Sequence, residues 1–453
     1  MSARSPARRL RSPAAVAAVA AAGAPALLAI VLGLAAQGSL GQSPDPLAAL
    51  KAKFERPRFV PHPADNPPNP DKVALGRRLF EDKALSSTGT IACASCHDPR
   101  LSFADGEPTG KGVTGKRLAR HTPSLWNVAF DPLLFWDGRA ATLEDQVRFP
   151  VEHVDEMGST LAAATQRLAT DQSYRTAFAT AFPQSPAISP RTIAAALAAY
   201  ERTLVSPPTR FDAWVAGKAD ALTQSEARGF KLFTGRARCI SCHVGFDFTD
   251  HNFYDIGLPG TDAGRGKEIG LPAADHAFKT PTLRELAWSA PYMHDGSLAT
   301  LEEVVRHYER GGVARPTRSK DLPRGLRLTD AERADLVAFL ESLSSETPPQ
   351  PSTEPWVGGG RPPAPPPPED ASVVSQINKT FTPSHVRLKA GQSLAVLNDD
   401  TRTHNVRIFH PKLDFNSGAQ EPKESVTIPF PEAGTFEAFC GIHPSMRLTV
   451  EVQ

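Results

Sequence analysis

Between residues 71 and 346, apolar side chains recur every three to four positions, as they do along one face of an α-helix. Several of these stretches open with a threonine followed three residues later by an acidic side chain, which is typical of a capped helix start. This part of the chain is therefore predicted to be mainly helical. The clearest stretches are TLEDQVRF, ISPRTIAAALAAYERTL, LTQSEARGFKLF and LTDAERADLVAFLESL, and the capping pairs are Thr142 with Asp145, Thr223 with Glu226, Thr300 with Glu303 and Thr329 with Glu332.

Residues 371–453 follow a different pattern. Their apolar stretches, HVRLKAGQSLAVLND, NVRIFH, ESVTIPF and TFEAF, are short and rich in β-branched or aromatic residues, and Gly, Asn and Pro separate them. This pattern favours a small antiparallel β-sandwich. The predicted fold class is a multidomain chain, with mainly α domains followed by a small all-β domain.

The helical part contains an internal repeat. The stretch GRRLF…CASCH at 76–97 resembles GFKLF…CISCH at 229–243, and FWDGRAATLEDQV at 135–147 matches MHDGSLATLEEVV at 293–305. Two related halves, each with one CxxCH motif, account for this most simply. We place the halves at residues 71–205 and 206–346.

Two proline-rich segments separate the predicted domains, and they hold many of the 43 prolines. Residues 43–70 are expected to be an extended linker. Residues 347–370 contain a PPPP run, which favours polyproline II and a semi-rigid spacer.

The N-terminal segment, residues 1–42, has the pattern of a secretory signal. Four arginines between Arg4 and Arg11 precede an apolar run from Ala14 to Ala36, and GQSPDP follows. The run is long enough that an uncleaved membrane anchor stays open as an alternative. We therefore predict export to the periplasm, with membrane attachment only through this segment. The net charge of +1 indicates no nucleic-acid partner.

Two CxxCH motifs are typical of covalent haem c attachment. The cysteines form thioethers to the haem, and the adjacent histidine becomes an iron ligand. A zinc site would need further Cys or His at close spacing, which the sequence lacks there. The motifs are Cys93, Cys96 and His97, and Cys239, Cys242 and His243.

The fifth cysteine lies in the tail, in the spacing Cys440-x-x-His443-x-x-Met446, and His404 lies upstream of it. Two histidines, one cysteine and a weak axial methionine form the ligand set of a blue, type 1 copper site. The alternative is a buried cysteine with an incidental histidine and methionine. If copper binds Cys440 and haem binds the other four cysteines, no disulfide is expected.

Five motifs beyond the CxxCH pair resemble the bacterial di-haem cytochrome c peroxidases and the related enzyme MauG over about residues 71–345. The tail, with GTFEAFC leading into its ligand loop, resembles the cupredoxins, especially amicyanin and pseudoazurin. The five motifs are HTPSLWN at 121–127, FWDGRAATLEDQ at 135–146, DEMG at 155–158, FKTPTLREL at 278–286 and APYMHDG at 290–296.

The resemblance implies a role for each matching position. His97 would hold the peroxide-reacting haem and His243 the electron-transfer haem, with Trp136 as a relay between them. Gln146 and Glu156 match the family's distal pair. Glu156 would move a proton between the oxygens of bound peroxide, which a nearby acid/base does well.

The sequence departs from the electron-activated peroxidases in one interval. The family has a capping histidine there, but residues 98–120 contain no histidine. We therefore expect a five-coordinate, open first haem, as in MauG. His121 falls where the family has an asparagine that helps to bind calcium. An imidazole is a poor ligand for this hard cation, so calcium is disfavoured.

Two residues compete for the far side of the second haem. By its offset from Pro281, Tyr308 falls where the peroxidases place methionine and MauG places tyrosine. Met293 is the methionine nearest to it in the sequence. A methionine ligand would raise the haem potential and a tyrosinate would lower it.

The predicted function is reduction of hydrogen peroxide by a periplasmic di-haem peroxidase. Electrons would pass from the fused blue-copper domain through the second haem to the first, with a periplasmic protein as external donor or acceptor. One alternative is a MauG-like oxidase that forms a high-valent di-haem state and acts on a protein or organic substrate. Another is a non-catalytic electron-transfer protein, against which Gln146 and Glu156 argue.

Overall fold

The computed structural model describes residues 46–57, 60–63, 65–351, 372–400, 404–410, 412–417, 420, 422–440, 443 and 446–453. The predicted signal or anchor at 1–42 and residues 352–370 of the predicted spacer lie outside this part. Pro46–Gln453 clusters as one compact unit. None of the helices in the described ranges combines the length and apolar character needed to cross a membrane.

The first part of the described chain is mainly helical, as predicted, and two very short strands, β1 (Phe253–Tyr254) and β2 (Phe278–Lys279), pair within it. Short 3-10 turns connect many of the helices. The α-helices are α1 (Pro46–Ala52), α2 (Pro70–Glu81), α3 (Cys93–Cys96), α4 (Leu143–Gln146), α5 (Arg148–Glu152), α6 (Leu161–Ala169), α7 (Gln172–Ala181), α8 (Pro190–Glu201), α9 (Arg210–Val215), α10 (Gln224–Thr234), α11 (Arg265–Ile269), α12 (Leu301–Arg310) and α13 (Asp330–Glu341).

The predicted helix caps are present. At α10, α12 and α13 the threonine side chain accepts a hydrogen bond from the backbone N–H three residues later. The glutamate side chain at that later position accepts one from the backbone N–H of the threonine. These are complete capping boxes, which satisfy two otherwise unpaired donors each. At α4, Thr142 Oγ1 accepts from the Asp145 N–H at 3.0 Å.

The repeat is visible in the packing of two helix pairs. Helix α2 packs on α8, and α10 packs on α13. In each pair a glycine lets the backbones approach so closely that a Cβ would collide with a carbonyl: Gly76 meets Ala196, and Gly229 meets Asp335. Ala196 and Asp335 are therefore equivalent positions, which puts the two halves in register.

Residues 43–70 are not uniformly extended, so that expectation is wrong. Pro46–Ala52 forms the helix α1, and the ring of Phe54 is fully buried in the core of the second half. Phe54 contacts the rings of Phe211 and Phe248, with centroids 5.8 and 4.9 Å apart. Burial of an aromatic side chain offsets the cost of ordering this proline-rich stretch.

The tail forms two packed sheets, so the predicted fold class is confirmed. The pairing is not purely antiparallel as expected, because β5 pairs with β11 and β3 with β6 in parallel. The sheet orders are β5-β11-β10-β7-β8 and β4-β3-β6-β9. The strands are β3 (Ser372–Ile377), β4 (Thr380–Thr382), β5 (His385–Leu388), β6 (Ser393–Asn398), β7 (Arg407–His410), β8 (Leu413–Asn416), β9 (Ser425–Pro429), β10 (Gly434–Phe439) and β11 (Arg447–Val452).

Candidate functional site

The two CxxCH motifs place their histidines in the same way. His97 Nδ1 lies 2.7 Å from the carbonyl oxygen of Phe103, and His243 Nδ1 lies 2.8 Å from that of Phe248. A carbonyl oxygen only accepts, so Nδ1 carries the proton in each ring and Nε2 is left to bind a metal. Burial lowers the pKa of both histidines, which favours the neutral imidazole that binds iron.

One cavity of about 1150 Å³ joins the two motifs. This exceeds the roughly 300–1,000 Å³ that is usual for a single small-molecule site. Both sets of thiols and both histidines line it, so the residues present fit two covalently held haems. The other predicted residues that line it are Trp136, Gln146, Glu156, Met293 and Tyr308.

Glu156 and Gln146 both line the shared cavity. Burial raises the pKa of the Cys96 thiol of the first motif, and the Glu156 carboxylate lies near enough to add to that shift. Gln146 ends α4, and Glu156 follows α5. Burial raises the pKa of Glu156, and the nearby positive charges of His153 and Arg139 oppose the shift. A half-buried carboxyl group with a raised pKa suits a general acid/base.

Trp136 lies where the two halves meet. Its Nε1 donates to the His121 carbonyl at 2.9 Å, and its own carbonyl accepts from the Lys279 N–H at 2.7 Å. The His121 N–H donates to the His294 carbonyl at 2.8 Å. Hydrogen bonds from both halves therefore hold the indole at the cavity wall.

The surroundings of His121 do not resemble an oxygen-rich cation site. His121 is buried, and its Nδ1 donates to the Glu107 carbonyl at 2.9 Å. The neighbouring Arg120 pairs with Asp137 and Asp262. These two carboxylates already face a guanidinium.

Tyr308 and Met293 both line the shared cavity. Burial raises the pKa of Tyr308, and the Cys242 and Cys239 thiols add to that shift, which places the phenol near them. Met293 lies on a loop with a φ of +77°.

Glu201 is a residue that the sequence reasoning missed. It ends α8, is 7% exposed and lines the cavity. Burial raises its pKa to about 8, and its Oε2 has no hydrogen-bond partner among the described residues. Ile193, Leu197 and Glu201 are spaced four residues apart and therefore lie on the same face of α8. An acid on this otherwise apolar face is a sequence signal that could have identified Glu201.

The predicted copper ligands come together in the β-sandwich. Cys440 Sγ lies 3.8 Å from Nδ1 of both His404 and His443, and the two Nδ1 atoms are 3.0 Å apart. Among the described residues, these three form the group of His, Cys, Asp and Glu side chains able to share one metal ion. Met446, the predicted axial ligand, is buried in the same core as Cys440.

Neighbouring groups orient this ligand set. The N–H groups of Asn405 and His443 each donate to Cys440 Sγ at 3.4 Å. His404 Nε2 lies 3.1 Å from an Asp400 carboxylate oxygen, which leaves Nδ1 facing the sulfur. Sulfur and imidazole ligands with hydrogen bonds to the cysteine sulfur fit a type 1 copper ion.

Two family models match the chain. One, described as di-haem cytochrome c peroxidase, matches residues 70–220. The other, described as cytochrome c, matches residues 226–344. Each matched region contains one CxxCH motif and corresponds closely to one half of the repeat.

Individual proteins match across both halves. The methylamine utilization protein MauG of Methylorubrum extorquens is 45% identical over 69% of this chain and 89% of its own length. A cytochrome-c peroxidase of Denitromonas iodatirespirans is 38% identical over 64% of this chain and 85% of its own. The crystal structure of a MauG-like protein associated with microbial copper homeostasis has a TM-score of 0.60 and 36% identity, over 65% of this chain and 95% of that one.

Proposed function

The chain belongs to the di-haem cytochrome c peroxidase and MauG family and is an oxidoreductase of that class, and on this basis we propose that it reduces hydrogen peroxide at the first haem. Each turnover consumes one peroxide, two electrons and two protons and forms two water molecules. Its two haems c would be held by Cys93, Cys96 and His97 and by Cys239, Cys242 and His243.

The observation that carries this proposal is the shared cavity, in which Glu156 and Gln146 accompany the first CxxCH motif. A haem iron supplies a face on which peroxide binds. Beside it, the Glu156 carboxyl would take a proton from one peroxide oxygen and return it to the other. Its raised pKa suits both steps, because the group then loses and regains a proton readily. Gln146 would orient the peroxide by hydrogen bonding.

We further propose that the copper domain supplies the electrons through the second haem. His404, Cys440, His443 and Met446 would hold the copper, which supplies one-electron redox chemistry. Fusion of donor and acceptor raises their effective concentration, to the millimolar range for a short flexible tether. An external periplasmic protein would exchange electrons with the copper domain, in keeping with the signal pattern at residues 1–42.

Single-turnover kinetics test the proposal. The holoprotein, reduced and mixed with peroxide without oxygen, should oxidise its copper and haems together and consume peroxide stoichiometrically. Cys440→Ser should lose the copper signal and the copper-delivered electron but keep the reaction when a small dye reduces the haems. Failure of the fully reduced holoprotein to consume peroxide would contradict the peroxidase function.

MauG-like oxidation of a protein or organic substrate is the second candidate. The 45% identity to a MauG protein and the phenol of Tyr308 beside the second motif favour it. In that case peroxide would give a long-lived oxidised di-haem protein with slow turnover, even when reduced copper is present. A purely electron-transferring role is not retained, because the family is one of enzymes.

A further inference from the structure

The β-sandwich rests on the helical part through a defined contact. Leu133 is 3% exposed and belongs to the same apolar core as Cys440 and Met446, and Phe253 of β1 packs against this core. Together with Asn252 and Arg265, these two residues form what we call the copper seam. Leu133 comes from the first half of the repeat, and the other three seam residues come from the second.

A chain of hydrogen bonds crosses the copper seam. The Asn405 N–H donates to Cys440 Sγ at 3.4 Å, and Asn405 Nδ2 donates to Asn252 Oδ1 at 3.1 Å. The Asn252 N–H donates to Asp250 Oδ1 at 3.0 Å, and the Asp250 N–H donates to the Cys242 carbonyl at 2.9 Å. The chain thus runs from the candidate copper thiolate to a cysteine of the second haem motif.

Arg265 supports this contact electrostatically. It is 5% exposed, and its Nη1 donates to the Asp137 and Gly138 carbonyls at 3.1 and 2.9 Å. Its guanidinium lies 4.6 Å from the Phe253 ring centroid. Burial lowers the pKa of Arg265, and the nearby Asp137 and Glu268 carboxylates oppose that shift. Arg265 thereby ties Phe253 to the Asp137–Gly138 loop of the first half.

We propose that the hydrogen bond between Asn405 and Asn252 is the point at which electrons pass between the copper site and the second haem half. This inference rests on the proposed donor role of the copper domain. In each transfer the copper loses one electron and the haem iron gains one, and no bond is made or broken. Asn252 is a positioning residue, because its hydrogen bonds reach the redox sites through Asn405 and Asp250.

A formed contact does more than a tether. A tether alone raises the effective concentration of the donor and leaves its orientation free. The copper seam holds the Cys440 side of the β-sandwich against the Cys242 side of the helical part, so the separation of the two redox sites is set by packed side chains. Electron transfer should therefore be independent of protein concentration and should depend on this hydrogen bond.

Asn252→Ala in the full holoprotein tests the route. After rapid selective reduction of the copper, the rate of haem reduction should fall by about tenfold or more, while the copper EPR spectrum and all reduction potentials stay unchanged. Asn252→Asp keeps an acceptor oxygen for Asn405 Nδ2 and should retain a rate within about threefold of wild type. Peroxide turnover with a small dye that reduces the haems directly should be the same in all three proteins.

The outcomes separate this inference from the proposed function. An unchanged rate in Asn252→Ala, with normal transfer in wild type, would overturn the route and leave the donor role intact. A lower rate accompanied by a shifted copper potential would show a structural effect and would also overturn it. No copper-to-haem transfer in wild type would overturn both claims.

The copper-free chain provides a readout that does not depend on redox chemistry. Amide hydrogen exchange at Asn405 and Val406 should be faster in Asn252→Ala than in wild type, because the contact that orders this stretch is lost. Asn252→Asp should exchange at the wild-type rate. Equal exchange in wild type and Asn252→Ala would show that the contact is not formed in solution and would overturn the proposal.

Discussion

The two halves of the helical part hold their haem motifs alike and differ on the side that faces each haem. In both halves a buried phenylalanine with positive φ turns its carbonyl onto the histidine: Phe103 at +59° and Phe248 at +57°. The repeated loops also share an unusual backbone, since Phe135 and its counterpart Met293 have φ values of +69° and +77°. The shared features are those that attach and orient a haem.

The differences lie among the side chains of the cavity wall. Alignment of the repeat places Val304 opposite Gln146 and Tyr308 opposite Pro150. The equivalence of Ala196 with Asp335 places Leu340 opposite Glu201, and both of these line the cavity. The first half therefore has amide and carboxyl groups where the second has aliphatic groups, together with one phenol. Under the proposed function, the exchange of a few wall residues on a repeated haem-binding frame would separate proton chemistry from electron transfer.

Glu156→Gln tests most directly whether the first half differs from the second in its proton chemistry. It removes the proton-carrying group of the first half and should lower peroxide turnover by roughly 10² or more, with both haem spectra unchanged. Glu152→Gln, an exposed acid at the end of α5, is the matched control and should turn over normally. Normal turnover in Glu156→Gln would remove this residue from the chemistry.

Trp136→Phe tests the junction between the halves. Loss of the indole and of its bond to the His121 carbonyl should slow electron equilibration between the haems by about tenfold, because a small misplacement of reacting groups lowers a rate steeply. Rapid-mixing absorbance measures this rate. Trp288→Phe is the control, because its Nε1 also donates to a carbonyl, that of Ser345 at 3.1 Å. Equal effects of the two substitutions would reduce Trp136 to a packing residue.

Tyr308→Phe and Met293→Leu together decide what faces the second haem. If the phenol is the ligand, Tyr308→Phe should change the low-spin EPR signal of that haem and raise its potential by about 59 mV or more, a tenfold change in a one-electron equilibrium. Met293→Leu should leave both unchanged. The reverse result would assign the ligand role to Met293 and make the second haem a higher-potential site.

Glu201→Gln tests the difference between Glu201 and Leu340, for which we expect the smallest effect. The folded chain holds the Glu201 proton up to a pKa of about 8, whereas the ordinary value is 4.5. Between these pH values the unfolded state has lost the proton and the folded state retains it, so the free energy of unfolding falls as the pH rises. Glu201→Gln should flatten this slope in urea titrations of the holoprotein.

The exposed Glu302, paired with Arg306 on α12, provides the control for that measurement. Glu302→Gln should leave the slope of stability against pH unchanged. If Glu201→Gln leaves the slope of stability against pH unaltered, Glu201 is ionised in the folded holoprotein. Glu201 would then differ from Leu340 by a negative charge and not by a retained proton.

The features that depend on short spacing could be predicted from the amino-acid sequence. The CxxCH motifs, the Cys440-x-x-His443-x-x-Met446 loop and the capped helices are local patterns, because thioether attachment, a metal loop and a helix cap each join residues within a few positions of one another. The repeat is recognised because it contains two copies of such local patterns. Local patterns did not predict the structure of residues 43–70, because the packing of Phe54 against rings distant in the sequence determines it. They also did not predict the parallel strand pairs, because the paired strands are far apart in the sequence.

The folded structure was needed to show how these local pieces combine. It joined two haem motifs, some 146 residues apart, in one cavity, placed Glu201 on the wall of that cavity, and brought Asn252 to Asn405. Hydrophobic packing sets such contacts, and it acts on buried area without regard to sequence separation. The sequence therefore specifies which groups can bind haem and copper, whereas the packed structure specifies which of these sites lie near one another.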